Sequence, residues 1–206
     1  MYLNESTLKR KYNINRTTFG VMLILFSAGE LLGAVLYCGS GAELPESLKL
    51  ISGSFFAGRI QNTFIHTVIN SFSGAFILLL ICFIMGFGAI FQPAEVAVPF
   101  FRGLGAGITL AEIIGMYGVK GFMLSFAVAV PYTAASALIL SVGAREALIM
   151  SCCTAKNFFG RERCDIDFRL YFTKFVILTG VLAVASAADG LLTFIFAGLW
   201  TRLQGM

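Results

Sequence analysis

Residues 64–91 read FIHTVINSFSGAFILLLICFIMGFGAIF, and positions 76–84 within them are almost pure Ile, Leu and Phe. Such a run has no polar face to turn to water. About 20 apolar residues, rising 1.5 Å each as a helix, cross the hydrocarbon of a bilayer. Gln92–Pro93 closes the run.

Four further runs follow the same rule. The first covers 19–38, behind the basic cluster Lys9, Arg10, Lys11 and Arg16; the others cover 94–117, 122–150 and 171–200. The expected fold is therefore all-α, a polytopic transmembrane helical bundle of about five spans forming one integral membrane domain over 1–206. Composition agrees. Of 206 residues, 58% are hydrophobic and 13% charged, with a mean hydropathy of +0.86, whereas soluble domains carry about 25% charge. The polar, basic N-terminus does not read as a signal peptide, although Gly39–Ala42 imitates a small-residue cleavage site. No internal repeat is visible. Between the first two spans, Leu44, Leu48, Ile51 and Phe55 recur at helical spacing. This fits a helix lying at the membrane surface, and equally a loop covering the bundle.

Loop charges give an orientation. The N-terminal tail and the last loop, with Lys156, Arg161, Arg163 and Arg169, fall on one side of a five-span protein. The other side holds Lys49, Arg59, Lys120 and Arg202. The positive-inside rule then places the N-terminus in the cytoplasm and the C-terminus outside.

Ionisable residues inside spans are costly and call for partners. Glu30, Glu95, Arg102, Glu112, Lys174 and Asp189 form this set. Glu95 and Arg102 share a face two turns apart with Pro99 between them, so their pairing requires a kink or another helix. Lys174 is near enough to a span end to snorkel. Asp189 is too deep for that and either takes a donor from the bundle or is protonated. Either these groups bind one another and fix which helices touch, or they line an ion or proton path. Pro131 divides the fourth span, as one kinked helix or two half-helices.

Gly103, Gly107, Ala111 and Gly115 recur every four residues. This small-residue stripe lets a second helix approach closely, inside the molecule or in a partner such as a second copy. His66 is the single histidine, which excludes an H-E-x-x-H zinc site, and no G-x-S-x-G elbow or phosphate loop occurs. No enzyme, metal, cofactor or nucleic-acid partner is expected. The five cysteines lack metal-ligand spacing and read as free thiols.

Residues 86–144 carry a resemblance. Phe101–Arg102–Gly103 with Gly107–Ile108–Thr109, then Gly118–Val119–Lys120–Gly121–Phe122, then Val130–Pro131, are similar in kind and order to motifs of the stage II sporulation protein M family. Arg102 stands where that family usually has Lys, and Tyr132–Thr133 follow the proline where it often has Gln-Asn. The resemblance implies a family-like turn at Lys120 and Gly121 and a break at Pro131. It further implies a bacterial mother-cell membrane protein of forespore engulfment, without catalytic activity. Such a scaffold would anchor two membrane-attached peptidoglycan hydrolases, stage II sporulation proteins D and P. The competing expectation is a small channel or transporter built on Arg102, Glu112 and Asp189.

Overall fold

The computed structural model describes residues 5–39, 64–158 and 167–204. The expected segment between the first two spans, and Arg161 and Arg163 of the last loop, lie outside those residues. The helices are α1 (Glu5–Gly39), α2 (Phe64–Met85), α3 (Gln92–Leu124), α4 (Val130–Phe158) and α5 (Phe168–Gln204). Each contains a stretch long and apolar enough to cross a membrane: Thr17–Gly39, Phe64–Met85, Gln92–Gly115, Val130–Phe158 and Phe168–Ile195. The fold is an all-α bundle with five candidate spans, the architecture of a multi-pass membrane protein.

The outward faces support this. Ile24, Leu31 and Val35 of α1 are 66–70% exposed, as are Val184 and Phe194 of α5 to similar degree. Soluble monomers rarely expose contiguous apolar faces of this size; hydrocarbon tolerates them. The interior gathers around α4, the most enclosed span. Leu140, Ala144 and Ala147 of α4 meet Leu79 and Cys82 of α2, Tyr171, Phe175 and Leu182 of α5, and Met22 of α1.

Several span ends differ from those read in the sequence. The second span stops at Met85, not residue 91, because Gly86 and Gly88 interrupt it. Phe87 N–H donates to Ile84 O and Gly88 N–H to Met85 O, tightening the chain into a turn. Pro93 sits in the first turn of α3, where its missing N–H costs least. At Gly118 the backbone takes φ 58°, ψ −135°, a conformation that glycine alone adopts at little cost. The turn expected at Lys120 and Gly121 is not there: the break falls at Gly118, and the helix runs on through Lys120 and Gly121.

Pro131 does not divide the fourth span; it is the second residue of α4, directly after the π-helical turn Ser125–Ala129. A proline ring collides with the carbonyl four residues back, and the wider π turn absorbs that collision without ending the helical path. The fourth span consequently starts at Val130 and runs to Phe158, beyond the expected 150. There is one helical path here, not two half-helices.

Candidate functional site

The stripe on α3 is an internal seam. A Cβ added at Gly103 would enter the Phe26 carbonyl of α1, and one at Gly107 would lie 2.7 Å from Glu30 C and 2.9 Å from Glu30 Cα. The seam is reciprocal. Gly29 and Gly33 of α1, the glycines of the segment GELLG, press on the Phe100 and Leu104 carbonyls of α3. Two facing pairs of glycines four apart let the backbones touch, the close approach that small-xxx-small spacing permits. Gly115 continues the seam against Tyr37, whose ring and hydroxyl would stand 3.2 Å from a Cβ at that position. Ala111 is half-buried beside it. The face at Gly103 and Gly107 is filled by α1, so it is not available to a partner, and Gly29 and Gly33 are the residues sequence reasoning passed over.

The polar side chains inside the bundle converge on two networks. In the first, Ser71 Oγ of α2 donates to Asp189 Oδ2 of α5 at 2.7 Å. The Tyr132 hydroxyl of α4 donates to the Ser71 backbone carbonyl. The Arg102 guanidinium of α3 lies 5.9 Å from the Tyr132 ring centroid, within cation–π range. Its Nη2 also makes a long 3.5 Å contact to Ser136 Oγ, which donates in turn to Thr133 O. One chain of contacts therefore touches α2, α3, α4 and α5. Asp189 is 1% exposed and Ser136 fully buried, so water does not reach these groups from outside. The expected donor for Asp189 is Ser71.

The second network lies nearer the end of the bundle where α4 ends and α5 begins. Glu146 Oε1 accepts from Arg145 Nη2 at 2.8 Å, and Oε2 accepts from Lys174 Nζ at 2.6 Å. Lys174 thus pairs across α4 and α5 and does not simply snorkel. Arg145 and Glu146 were missing from the sequence-derived set, although both stand inside the fourth span.

Glu95, Glu112 and Glu30 join neither network. Glu95 is fully buried, and neither carboxylate oxygen meets a hydrogen-bond partner among the described residues. It does not pair with Arg102. Cys82, Cys152 and Tyr171 stand within electrostatic reach of it, and the Tyr171 hydroxyl donates away from it, to Phe83 O at 3.0 Å. Glu112 Oε2 is likewise buried without a partner among the described residues; ten residues along α3, it stands about 15 Å from Arg102. Glu30 is half-buried, its backbone against Gly107.

Compared with protein-family models, with curated proteins and with solved structures, the chain matches none. Its chemistry has to be read from its own residues. Among the described residues, no cluster of three His, Cys, Asp or Glu is placed to hold a metal ion. Cys38, Cys82 and Cys152 are free, whereas Cys153 is disulfide-bonded, which corrects the expectation of free thiols throughout.

The first network makes a quantitative expectation. Removing the hydroxyl in Ser71→Ala leaves a buried Asp189 oxygen short of a donor, a loss of about 1–3 kcal/mol in soluble proteins. Interhelical bonds in membrane proteins average about 0.6 kcal/mol, so the expected loss is about 1 kcal/mol. A double-mutant cycle with Asp189→Ala, which removes the acceptor, read by unfolding in detergent, measures it; additive losses would mean that the bond is absent.

Proposed function

We propose that this chain is a non-enzymatic, multi-pass membrane scaffold for bacterial endospore formation, holding membrane-attached peptidoglycan hydrolases at the engulfing mother-cell membrane. The observation that supports the scaffold reading is that several of the membrane-depth polar groups bind one another across helices. Asp189 is bound by Ser71, Glu146 by Arg145 and Lys174, and Arg102 lies on Tyr132. Polar groups used in this way fix helix order, and a scaffold needs a fixed framework more than a pathway. The partners come from the resemblance of residues 86–144 to the stage II sporulation protein M family, whose members anchor stage II sporulation proteins D and P. A surface suited to such partners is the segment beyond Gly118, where Val119 and Met123 are 80% and 71% exposed.

The proposed orientation, with the N-terminus in the cytoplasm, is the one the loop charges favour, eight basic residues against four. The Cys153 disulfide lies toward that same side and pulls the other way, because cytoplasmic thiols stay reduced. The proposal keeps the orientation that the larger share of basic residues favours.

Photocrosslinkers at Val119 and Met123 in sporulating cells test the reading. Recovery of a membrane-anchored cell-wall hydrolase is expected. Recovery of none, together with normal engulfment in a deletion strain, contradicts the proposal.

A second reading, a small channel or transporter, is favoured by one observation: buried Glu95 with both oxygens unbonded among the described residues. Flux through proteoliposomes that falls with Glu95→Gln, Arg102→Ala or Asp189→Asn, while the folded bundle persists, would support it over the scaffold.

A further inference from the structure

A groove of about 270 Å³ runs along the lipid-facing junction of α2 and α5, lined by Phe76, Leu80 and Phe83 on one side and Phe172, Val176 and Thr179 on the other. Its lining is almost wholly apolar. Thr179, the polar exception, spends its hydroxyl on Phe175 O at 2.9 Å. From Phe172 to Thr179 the groove extends roughly 10 Å along α5, most of one leaflet's share of a hydrocarbon core of about 30 Å. Phe83 and Phe172 close its upper end, their rings 6.2 Å apart.

Arg169 stands above that end. It precedes Val176 by two helical turns, so the two residues lie within about 20° of each other around α5. Arg169 is exposed in the first turn of its helix, at the end of the candidate span Phe168–Ile195, where a spanning helix meets the headgroups. The nearest acidic side chain in sequence, Asp167, is turned to the helix end, where its Oδ1 accepts from the Leu170 N–H at 3.1 Å. Phe168 and Phe87 stack at 6.1 Å beside it. The groove is therefore apolar over most of a leaflet and cationic at its headgroup end.

We propose that this groove is a binding site for one anionic phospholipid, with an acyl chain between α2 and α5 and the headgroup phosphate at Arg169. Charge complementarity selects this occupant. A partner helix or a second copy would fill the apolar length but would leave the cation at its mouth unused, whereas a basic group between spans at headgroup level is how membrane proteins retain anionic lipids. The site is independent of the scaffold reading and of membrane orientation.

Native mass spectrometry of the full chain, titrated with phosphatidylglycerol or with phosphatidylcholine, tests the site. The chain is expected to retain one phosphatidylglycerol in preference to phosphatidylcholine, and inorganic phosphate should not displace it. Arg169→Ala, at an exposed position, is expected to weaken phosphatidylglycerol retention about fivefold, the effect of one basic residue near an anionic surface, and to leave phosphatidylcholine unchanged. Val176→Trp, which fills the groove, should reduce retention of both. Equal retention of the two lipids, an unchanged preference in Arg169→Ala, or a protein dimer that Val176→Trp dissociates would each overturn the proposal, the last by assigning the groove to a second copy.

Discussion

Gly107→Leu is expected to destroy the folded bundle, with a loss of at least about 3 kcal/mol. The reason lies in what faces the glycine. A first side-chain carbon at position 107 meets the carbonyl and Cα of Glu30, which are backbone and have no rotamer to move aside. Gly103 stands in the same relation to Phe26, and Gly29 and Gly33 return the contact from α1. The helices can accept a leucine only by separating, and separation gives up the dispersion contacts along the whole seam, the main force joining helices in lipid. Better helix propensity offsets only about 1 kcal/mol of this. Gly180→Leu is the matched control, since nothing stands within 4 Å of a Cβ there. In detergent unfolding, the Gly107 variant should melt far below the parent and the Gly180 variant close to it. Similar behaviour of the two variants would mean that the seam does not hold α1 to α3.

Glu146→Ala is expected to lower stability by about 2 kcal/mol. Its carboxylate is shared between Arg145 and Lys174, and its own side chain is 9% exposed. Removing it leaves two like charges facing one another at the edge of a low-dielectric medium. Breaking a fully buried ion pair costs about 3–5 kcal/mol. Here Lys174 is 40% and Arg145 22% exposed, so solvent screens part of the cost. The sharper expectation is a rescue. With Arg145 and Lys174 also changed to methionine, the Glu146→Met protein should regain most of the lost stability, because no unpaired charge remains. A triple variant weaker than Glu146→Ala would show that the network contributes more than mutual neutralisation.

These networks also mark what a sequence can convey. The five spans were legible because hydrocarbon thickness dictates the length of an apolar run, and 76–84 satisfies it with almost no polar interruption. The need of Asp189 for a donor was legible too, as burying a carboxylate without a partner is costly, a cost that Glu95 nonetheless carries among the described residues. The donor was not. Ser71 lies 118 residues away, and a serine on a helix announces no partner. Arg145 and Glu146 were visible as charges within the fourth span. Their pairing was hidden because adjacent helical residues do not face each other, and a second helix brings Lys174 to join them. Gly29 and Gly33 repeat the spacing of Gly103 and Gly107, so the matching half of the seam was available to any comparison of glycine spacings between spans. Pro131 misled for a local reason: a proline in an apolar run reads as a break, yet a single π turn before it keeps the helix going.

Everything rests on a bundle that crosses the membrane five times with its polar side chains turned inward. An odd number of crossings leaves the two ends of the chain on opposite faces. Epitope tags placed before α1 and after α5, probed by protease in intact spheroplasts and again after permeabilisation, measure this directly. The five-span bundle predicts that a single tag is cut in intact cells and both after permeabilisation; under the proposed cytoplasmic N-terminus, the tag cut in intact cells is the one following α5. Two tags protected together, or two cut together, in intact cells would contradict it.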